Sequence, residues 1–318
     1  MMINFKSIFS KELNDYIKYK QDLCLGNLSI ANLLSHFDLF CVALQLSEKK
    51  FGKNLSDKYC QKRPLEHNTT HYNRVNTAKN FLAYLHLKGY EVYVPDNVRY
   101  IPSDFQPYIY TKNEIIKYFA AADTLTKVRP LARVQIPILF RLLYSTGIRI
   151  GEVLSIKKKN INFAQKYISI DSAKWGSVRN IYLEDRMLYL IKKFAFKTFY
   201  LLNSEDYIFH TRNGDALRES LVYEWHRKLL YSAGIPYRGS RNGPRIHDWR
   251  HTFAVNSFHK LIVEEQMDLY TALPIISAYL GHRTILATEK YVRLTREYFP
   301  EITNMLDKPF FEIFGDTL

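Results

Sequence analysis

The sequence predicts a mainly α-helical protein of two domains, the second of which also carries a small β-hairpin or sheet. Its 318 residues are enough for about two domains at ~100 to 200 residues each. Apolar residues recur at helical spacing along most of the chain, and two short alternating runs within residues 167–183 are typical of a hairpin. The expected fold class is therefore α+β, with an all-helical N-terminal domain.

The first domain, residues 1–105, is predicted to hold about four helices. Ser29 is the expected N-cap of the second helix, and the polar run 53–71 is expected to be a connection. An extended linker is predicted at about residues 95–107, so the second domain is residues 108–318. The linker is marked by Pro95, Pro102 and Pro107, and the helical spacing is clearest in Ile30, Leu33, Leu34 and Phe37 and in Val75, Ala78, Phe81, Leu82 and Leu85.

Local signals place the elements of the second domain. Thr111 followed by Glu114 forms a capping box, so a helix is expected to begin there. Pro130 suits the first position of an apolar helix that ends near Gly147, and Pro137 within it predicts a kink or an interruption. Strands are expected at 167–171 and 178–183, and further helices at 185–196, 218–233, 247–261 and 274–280.

The composition favours a polyanionic partner. The 45 Lys+Arg against 31 Asp+Glu give a net charge of +14 and a pI near 9.4, which suits nucleic acid better than a small neutral metabolite. Basic charge kept only for solubility is the alternative. Three cysteines without CxxC spacing predict neither a disulfide framework nor a zinc site. No apolar run approaches the ~18 residues of a membrane span, so no membrane partner and a cytoplasmic location are expected.

Four separated segments place polar, mostly cationic residues on apolar backgrounds. They are Arg149 with Glu152 after Gly147, Lys174 with Arg179 in the hairpin, His247 with Arg250 in one helix, and Gly281-His282 followed nine positions later by Tyr291. Singly, each has an ordinary structural reading as a helical ion pair, an exposed hairpin lysine, a solvated helix start or a turn histidine. The order Arg, Lys, His-x-x-Arg, Gly-His, Tyr in one chain is not explained by these readings.

This order of motifs resembles that of the tyrosine recombinase (phage integrase) family, and its spacing is most similar to that of the compact Xer-type and transposon-type members. The resemblance covers residues 111–300. Trp249, Trp175 and Tyr182 depart from the residues usual in the family and are interpreted as packing or DNA-contact variation. The matching boxes are Thr146-Gly147-Ile148-Arg149, Arg179-Asn180-Ile181-Tyr182-Leu183 after Lys174, His247-Asp248-Trp249-Arg250-His251-Thr252-Phe253-Ala254, and Leu280-Gly281-His282 with Tyr291.

The resemblance implies a set of site residues and partners. Tyr291 is the expected nucleophile, and Glu152 is expected to give structural support. A C-shaped clamp on double-stranded DNA and a homotetramer on paired DNA sites follow from the family, whereas a further arm-binding domain is not expected. An accessory directionality factor is a candidate partner, and the sequence does not decide whether one is required. The implied catalytic residues are Arg149, Lys174, His247, Arg250, His282 and Tyr291, and the expected DNA-binding residues are Arg179, Arg238, Arg241, Arg245 and Arg283.

Phosphodiester chemistry gives these residues separate tasks. Negative charge grows on the phosphate in the transition state, so Arg149 and Arg250 would supply two charged forks and His282 a further donor. A tyrosine has an unperturbed pKa of ~10, so a base is needed, for which His247 is the candidate, while Lys174 would protonate the leaving 5′-hydroxyl. No Walker, HExxH or clustered-carboxylate motif is present, so no metal or other cofactor is expected.

The expected function is a site-specific recombinase or integrase, associated with integration or transposition of mobile DNA, that acts through a 3′-phosphotyrosine. A type IB topoisomerase-like nicking and closing enzyme is one alternative. A non-catalytic DNA-binding architectural protein is another. The apolar tail, residues 299–318, is expected to pack either on a neighbouring protomer or on its own domain.

Overall fold

The structure is a computed structural model that describes residues 4–23, 28–101, 105–126, 128–172, 177–239, 243–282, 284 and 286–299. The chain divides into two units, Met1–Phe105 (unit 1) and Gln106–Leu318 (unit 2). Helices dominate both units, and one small sheet lies in unit 2. The predicted fold class is therefore confirmed.

Unit 1 contains four helices within its described residues: α1 (Ser10–Asp22), α2 (Leu28–Ala43), α3 (Lys53–Cys60) and α4 (Asn68–Leu87). Their inward faces meet in an aromatic core in which Phe9, Phe37 and Phe81 have no exposed surface. The ring of Phe37 stands edge-on to that of Phe81 at 5.5 Å between centroids, an arrangement that aromatic pairs favour. This core holds the outer face of α4 in a fixed orientation within the unit.

Two expectations for unit 1 were wrong. The helix α2 begins at Leu28, so Ser29 is inside it and is not its N-cap. The polar run 53–71 contains the whole of α3, which was expected to be a connection. Its buried Tyr59 packs against the rings of Phe37 and Phe40 at 5.4 Å and 5.1 Å. One aromatic anchor therefore holds a helix whose sequence is mostly polar.

Unit 2 begins with helices whose ends follow the predicted signals. In α5 (Lys112–Asp123) both hydrogen bonds of the Thr111–Glu114 capping box are present. The helix α6 (Pro130–Thr146) has Pro130 in its first turn and ends at Gly147, and it runs without interruption through Pro137. A short helix, α7 (Ile150–Leu154), follows directly. The turn between α6 and α7 brings Arg149 close to the end of α6.

The sheet of unit 2 has three antiparallel strands in the order β1 (Ile161–Asn162), β2 (Tyr167–Ser172) and β3 (Ser177–Tyr182). The predicted hairpin is confirmed as β2 and β3, whose register pairs Ile168 with Ile181 and Ile170 with Arg179. The strand β1 was not predicted, because two residues are too few for an alternating pattern. Ile168, Ile170 and Ile181 are buried, so one face of the hairpin packs on the core.

Five more α-helices and two short 3-10 helices lie in the described part of unit 2. The 3-10 helices are Lys158–Asn160 and Phe199–Leu201, and the α-helices are α8 (Asp185–Thr198), α9 (Glu219–Ser232), α10 (Asp248–His259), α11 (Leu269–Leu280) and α12 (Leu286–Tyr298). The predicted helix 274–280 is longer than expected, because Asp268 accepts a 3.0 Å hydrogen bond from the Thr271 amide and caps α11 one turn earlier. The predicted helix 247–261 ends as an α-helix at His259 and continues as a π-helical turn, Lys260–Glu264.

The buried residues of unit 2 form two hydrophobic clusters. The larger one joins α5, α6, α8, α9 and the sheet and includes Trp249, which stacks on Tyr110 at 3.9 Å. Trp249 has no exposed surface, so this departure from the family pattern is a packing change. The smaller cluster joins α10, α11 and α12 and contains Tyr291. Within the described ranges, none of the helices is long and apolar enough to cross a membrane.

Candidate active site

The side chain of Arg250 joins the C-terminal ends of two helices. Its Nη1 donates to the carbonyl oxygen of Gly147 after α6, and its Nη2 donates to that of Leu280 at the end of α11, both at 2.7 Å. The last carbonyls of a helix have no partner within the helix and carry partial negative charge. Two helix ends therefore hold the guanidinium, which is 2% exposed.

Both helix ends depend on a left-handed glycine. Gly147 and Gly281 have φ of 60° and 65° and form the C-caps of α6 and α11, a conformation that favours glycine. A Cβ atom on Gly147 would lie 2.4 Å from the ring of Phe253, and one on Gly281 would lie 2.6 Å from Nη1 of Arg179. Gly147 therefore lets the end of α6 approach Phe253 closely, and Gly281 lets the end of α11 approach Arg179.

Glu152 binds two further arginines. Arg179 in β3 donates from Nη1 and Nη2 to the two carboxylate oxygens of Glu152 at 3.0 Å and 2.8 Å. Arg149 donates to the same carboxylate from its Nη1 and from its backbone amide, both at 3.0 Å. Its Nη2 also reaches the carbonyl of Gly281 at 3.4 Å. Glu152 therefore fixes Arg149 next to the helix end that holds Arg250.

The arginines carry more positive charge than the nearby carboxylate neutralises. Burial would raise the pKa of Glu152, but Arg179 and Arg149 lower it to about 2. Burial, and then Arg149, lower the pKa of Arg250 to about 10, so its guanidinium is still charged at neutral pH. A buried charge without a counter-ion is costly. Three arginines facing one carboxylate therefore form a site that favours an anion.

Tyr291 lies in α12 beside this cationic cluster and is 1% exposed. Its ring is parallel to that of His282 at 6.0 Å and lies 5.4 Å from that of His251. The Lys290 ammonium lies 5.1 Å from the Tyr291 ring centroid. Burial raises the pKa of Tyr291, and Arg250 and Arg149 act in the opposite direction. The phenol is therefore protonated at neutral pH within the field of two arginines.

Three neutral histidines belong to this site: the rings of His251 and His282 lie next to Tyr291, and that of His247 lies next to His251. Burial first, and then nearby cations beginning with Arg250, lower the pKa of His247 and of His282 to about 4 each. Burial and His247 lower the pKa of His251 to about 2, and the rings of His247 and His251 lie 4.8 Å apart. A neutral imidazole can accept a proton at one nitrogen and donate from the other.

The orientation of His282 is set by Thr288. Its Nδ1 lies 2.6 Å from the hydroxyl oxygen of Thr288, which is fully buried in α12. A hydroxyl that donates to Nδ1 leaves the ring hydrogen on Nε2. The second nitrogen of His282 is then a hydrogen-bond donor available to a ligand.

The remaining predicted residues lie in other places. Arg245 forms an ion pair with the buried Asp248 at 2.9 Å, while Arg238 is exposed. Lys174, Trp175, Arg241, Arg283 and residues 300–318 lie outside the described residues. Among the residues that the structure describes, no group of three His, Cys, Asp or Glu side chains is arranged to hold a metal ion.

A family model described as the phage integrase family matches residues 110–297. The chain belongs to the phage integrase family. Its curated relatives include an integrase/recombinase of Sinorhizobium fredii, 27% identical over 65% of this chain and 68% of that protein. The tyrosine recombinase XerA of Pyrococcus furiosus is 26% identical over 56% of each chain, and XerC of Oceanobacillus iheyensis is 24% identical over 72% of this chain and 71% of its own. The chain therefore spans little more than half of the XerA length.

Solved structures of recombinases share the fold of this tyrosine recombinase. XerH, in a post-cleavage complex with its palindromic difH substrate, is similar with a TM-score of 0.66 and 16% identity, over 95% of this chain and 90% of XerH. The Tn1549 transposon integrase, in complex with a circular intermediate DNA, has a TM-score of 0.62 and 14% identity, over 88% of this chain and 93% of that chain. At these sequence identities, both similarities show a shared fold.

The structure of this phage integrase family member also places residues at the site that sequence reasoning did not assign there. The His251 ring lies near the rings of both His247 and Tyr291, and Thr288 contacts His282. Arg179, expected to contact DNA, has its guanidinium on Glu152. His251 is adjacent to Arg250 in the sequence, which was a usable signal, whereas nothing in the spacing pairs Arg179 with Glu152.

Proposed function

We propose that this chain is a site-specific DNA recombinase that breaks and rejoins DNA strands through a 3′-phosphotyrosine at Tyr291, without a metal ion or ATP. The observation that carries the proposal is the charge of Arg250. It is buried beside Tyr291, and its described hydrogen bonds go to two backbone carbonyls and to the Tyr291 side chain, none of which is a carboxylate. A phosphodiester placed there would supply the missing negative charge and lie next to the nucleophile.

In the proposed cleavage step, Tyr291 replaces the 5′-oxygen on the phosphate. The phenol oxygen of Tyr291 forms a bond to phosphorus while the bond from phosphorus to the 5′-oxygen breaks. The phenol proton passes to His247, whose lowered pKa of about 4 keeps it neutral and able to accept. The 5′-oxygen takes a proton from Lys174, which lies outside the described residues. A 5′-hydroxyl from another strand reverses these transfers and restores Tyr291.

The remaining residues act on the phosphate. Arg149 and Arg250 would each offer a fork of N–H donors to the phosphoryl oxygens, and Nε2 of His282 a further donor. Glu152 binds Arg149, and Arg179 binds Glu152, so Glu152 and Arg179 are positioning residues. Charge developing in the transition state is stabilised by donors that are already in place.

The proposed partner is double-stranded DNA bound by a homotetramer on paired sites, with residues 1–105 as a second DNA-binding domain. XerH in complex with difH and a lambda integrase tetramer bound to a Holliday junction support this, at TM-scores of 0.66 and 0.57. A net charge of +14 is consistent with it. A role in integration or transposition of mobile DNA is part of the same proposal.

A nicked duplex that loses a short fragment after cleavage tests the chemistry, because the lost fragment prevents religation. The wild-type protein should accumulate a covalent protein–DNA adduct that maps to Tyr291, and Tyr291→Phe should form none. Tyr298→Phe is the matched control, since Tyr298 lies in the same helix and is 46% exposed. An adduct that persists in Tyr291→Phe or maps to Tyr298 refutes the assignment. Plasmid relaxation without strand exchange between two sites would indicate a topoisomerase instead.

A further inference from the structure

The segment that contains α4 carries no negatively charged side chain. Glu66 and Glu91 are the carboxylates on either side of it, and the cations between them that reach solvent are Lys79 and Lys88, because Arg74 is buried and bound to Glu66. Surface helices usually mix acidic and basic side chains on the solvent face. A helix of 20 residues without a carboxylate is instead suited to lie against a polyanion.

The outer face of α4 presents three asparagines. Asn73, Asn76 and Asn80 are spaced i, i+3 and i+7, which places them on one side of the helix. Val75, Ala78 and Leu82 are buried on the other side. Asn73 and Asn80 are exposed and Asn76 is half-buried. Thr69, Thr70 and Thr77 flank the row.

None of the three amides has a hydrogen-bond partner among the described residues, whereas Asn14 and Asn68 of unit 1 each have one. Asn14 donates to the carbonyl of Ser10 at 2.9 Å, and Asn68 accepts from Lys62 at 2.6 Å. Asparagine is among the weaker helix formers, because its amide competes with the backbone in non-helical conformations. Three of them on one helix face therefore lower helix stability without a compensating bond within the described structure.

A free primary amide offers a donor and an acceptor side by side. Adenine presents the complementary pair, the N7 acceptor and the N6 donor, on the major-groove edge, and asparagine is one of the side chains that pairs with it. The methyl group of a neighbouring threonine can contact the methyl group of thymine. Residues 73–80 span about 10 Å along a helix, close to three base-pair steps of ~3.4 Å.

We infer that Asn73, Asn76 and Asn80 read A·T base pairs through the major groove and determine part of the target sequence. The inference rests on the proposed function, because it requires double-stranded DNA as the partner. It assigns the α4 face to sequence readout, whereas the cationic site around Arg250 acts on the phosphate and is indifferent to sequence.

The test is selection of preferred sites by the full chain from a duplex pool with a randomised central segment, for wild type and Asn73→Ala/Asn76→Ala/Asn80→Ala. The wild type should select A·T pairs at two or three adjacent positions. Replacing those adenines with 7-deazaadenine should weaken its binding by roughly 5- to 100-fold, because the N7 acceptor is lost. The triple variant should no longer distinguish adenine from 7-deazaadenine.

Asn14→Ala is the matched control, and it should keep the wild-type preference because Asn14 lies in α1 and bonds its own helix. Alanine favours helix more than asparagine does, so the variants should unfold no earlier than wild type. Selection of the same sites by the triple variant overturns the inference and leaves the proposed function intact. A wild-type protein that forms covalent adducts but shows no 7-deazaadenine effect also overturns it, whereas absence of adducts refutes the proposed function itself.

Discussion

Among the described residues, two arginines are almost fully buried, one in each unit, and their charges are balanced in different ways. Arg74 in α4 is 1% exposed and donates to Glu66 from Nε and Nη2 at 2.7 Å and 2.9 Å. Arg250 in α10 is 2% exposed and donates to two carbonyls. The first charge is hydrogen-bonded to a carboxylate, whereas the second is hydrogen-bonded to helix-end carbonyls and to the Tyr291 side chain.

The pKa values follow this difference. Burial acts to lower the pKa of Arg74, but Glu66 outweighs it and the pKa is raised. Burial, followed by Arg149, lowers the pKa of Arg250 to about 10. A buried arginine that is paired with a carboxylate serves the fold, because removing either partner leaves the other charge buried without compensation and destabilises the protein. A buried arginine without a carboxylate partner is expected to receive an anion from outside, which is its proposed role.

The largest expected effect is on the chemistry at Arg250. Arg250→Lys keeps a positive charge but loses the planar fork that reaches both Gly147 and Leu280. Adduct formation on the nicked duplex should slow by about 100- to 1,000-fold, as for removal of one transition-state donor. Arg74→Lys is the control and should form adducts at the wild-type rate per folded molecule. Equal slowing in both variants would remove the distinction between the two arginines.

Acid should weaken the fold through the carboxylates that bind arginine. Arg74 acts to lower the pKa of Glu66, and Arg179 that of Glu152, to about 2 each against a usual 4.5. A depressed pKa stabilises the fold fully above 4.5, and this contribution is lost as the pH falls toward 2. Each contributes up to about 3 kcal/mol at neutral pH.

Urea unfolding at pH 7, 4 and 3 checks this expectation. Glu66→Gln and Glu152→Gln should be less stable than wild type at pH 7 and should lose less stability on acidification. Glu205→Gln removes an exposed carboxylate and should leave the acid sensitivity close to that of wild type. A Glu66→Gln protein that is as acid-sensitive as wild type would contradict the role given to the Arg74 pair.

The smallest effect is expected at Thr288, which touches His282 and neither arginine. Thr288→Val removes the 2.6 Å contact to Nδ1 but keeps the shape of the side chain. The loss of one neutral hydrogen bond, about 1 kcal/mol, should slow adduct formation by about 5-fold. Thr288→Ser should restore the rate. A loss as large as that of Arg250→Lys would mean that His282 carries more of the chemistry than Arg250 does.

Much of the fold could be predicted because its signals are local. Each signal lies within a few residues of the helix end that it marks. The signals are the Thr111–Glu114 capping box, Pro130 and Gly147, and all three helix ends are confirmed. The helix α3 was missed because eight mostly polar residues are held by contacts with rings far along the chain. The local sequence pattern does not reveal such tertiary contacts.

The motifs of the site identified residues but not what holds them. The partners of Arg250 lie 103 and 30 positions away and are backbone carbonyls, which no sequence pattern marks. The Arg179 fork on Glu152 spans 27 positions between a strand and a short helix. The excess of charge around Tyr291 follows from these long-range contacts, so it required the structure.

The central claim is that the charge of Arg250 serves a ligand and not the fold. The free energy of unfolding of Arg74→Met and Arg250→Met, measured in urea beside wild type, tests it most directly. Arg74→Met should lose about 3 to 5 kcal/mol, because Glu66 is left buried without a partner. Arg250→Met should stay within about 1 kcal/mol of wild type, because removal of a buried charge that has no carboxylate partner offsets the lost hydrogen bonds to Gly147, Leu280 and Tyr291. Equal losses in the two variants would contradict the account.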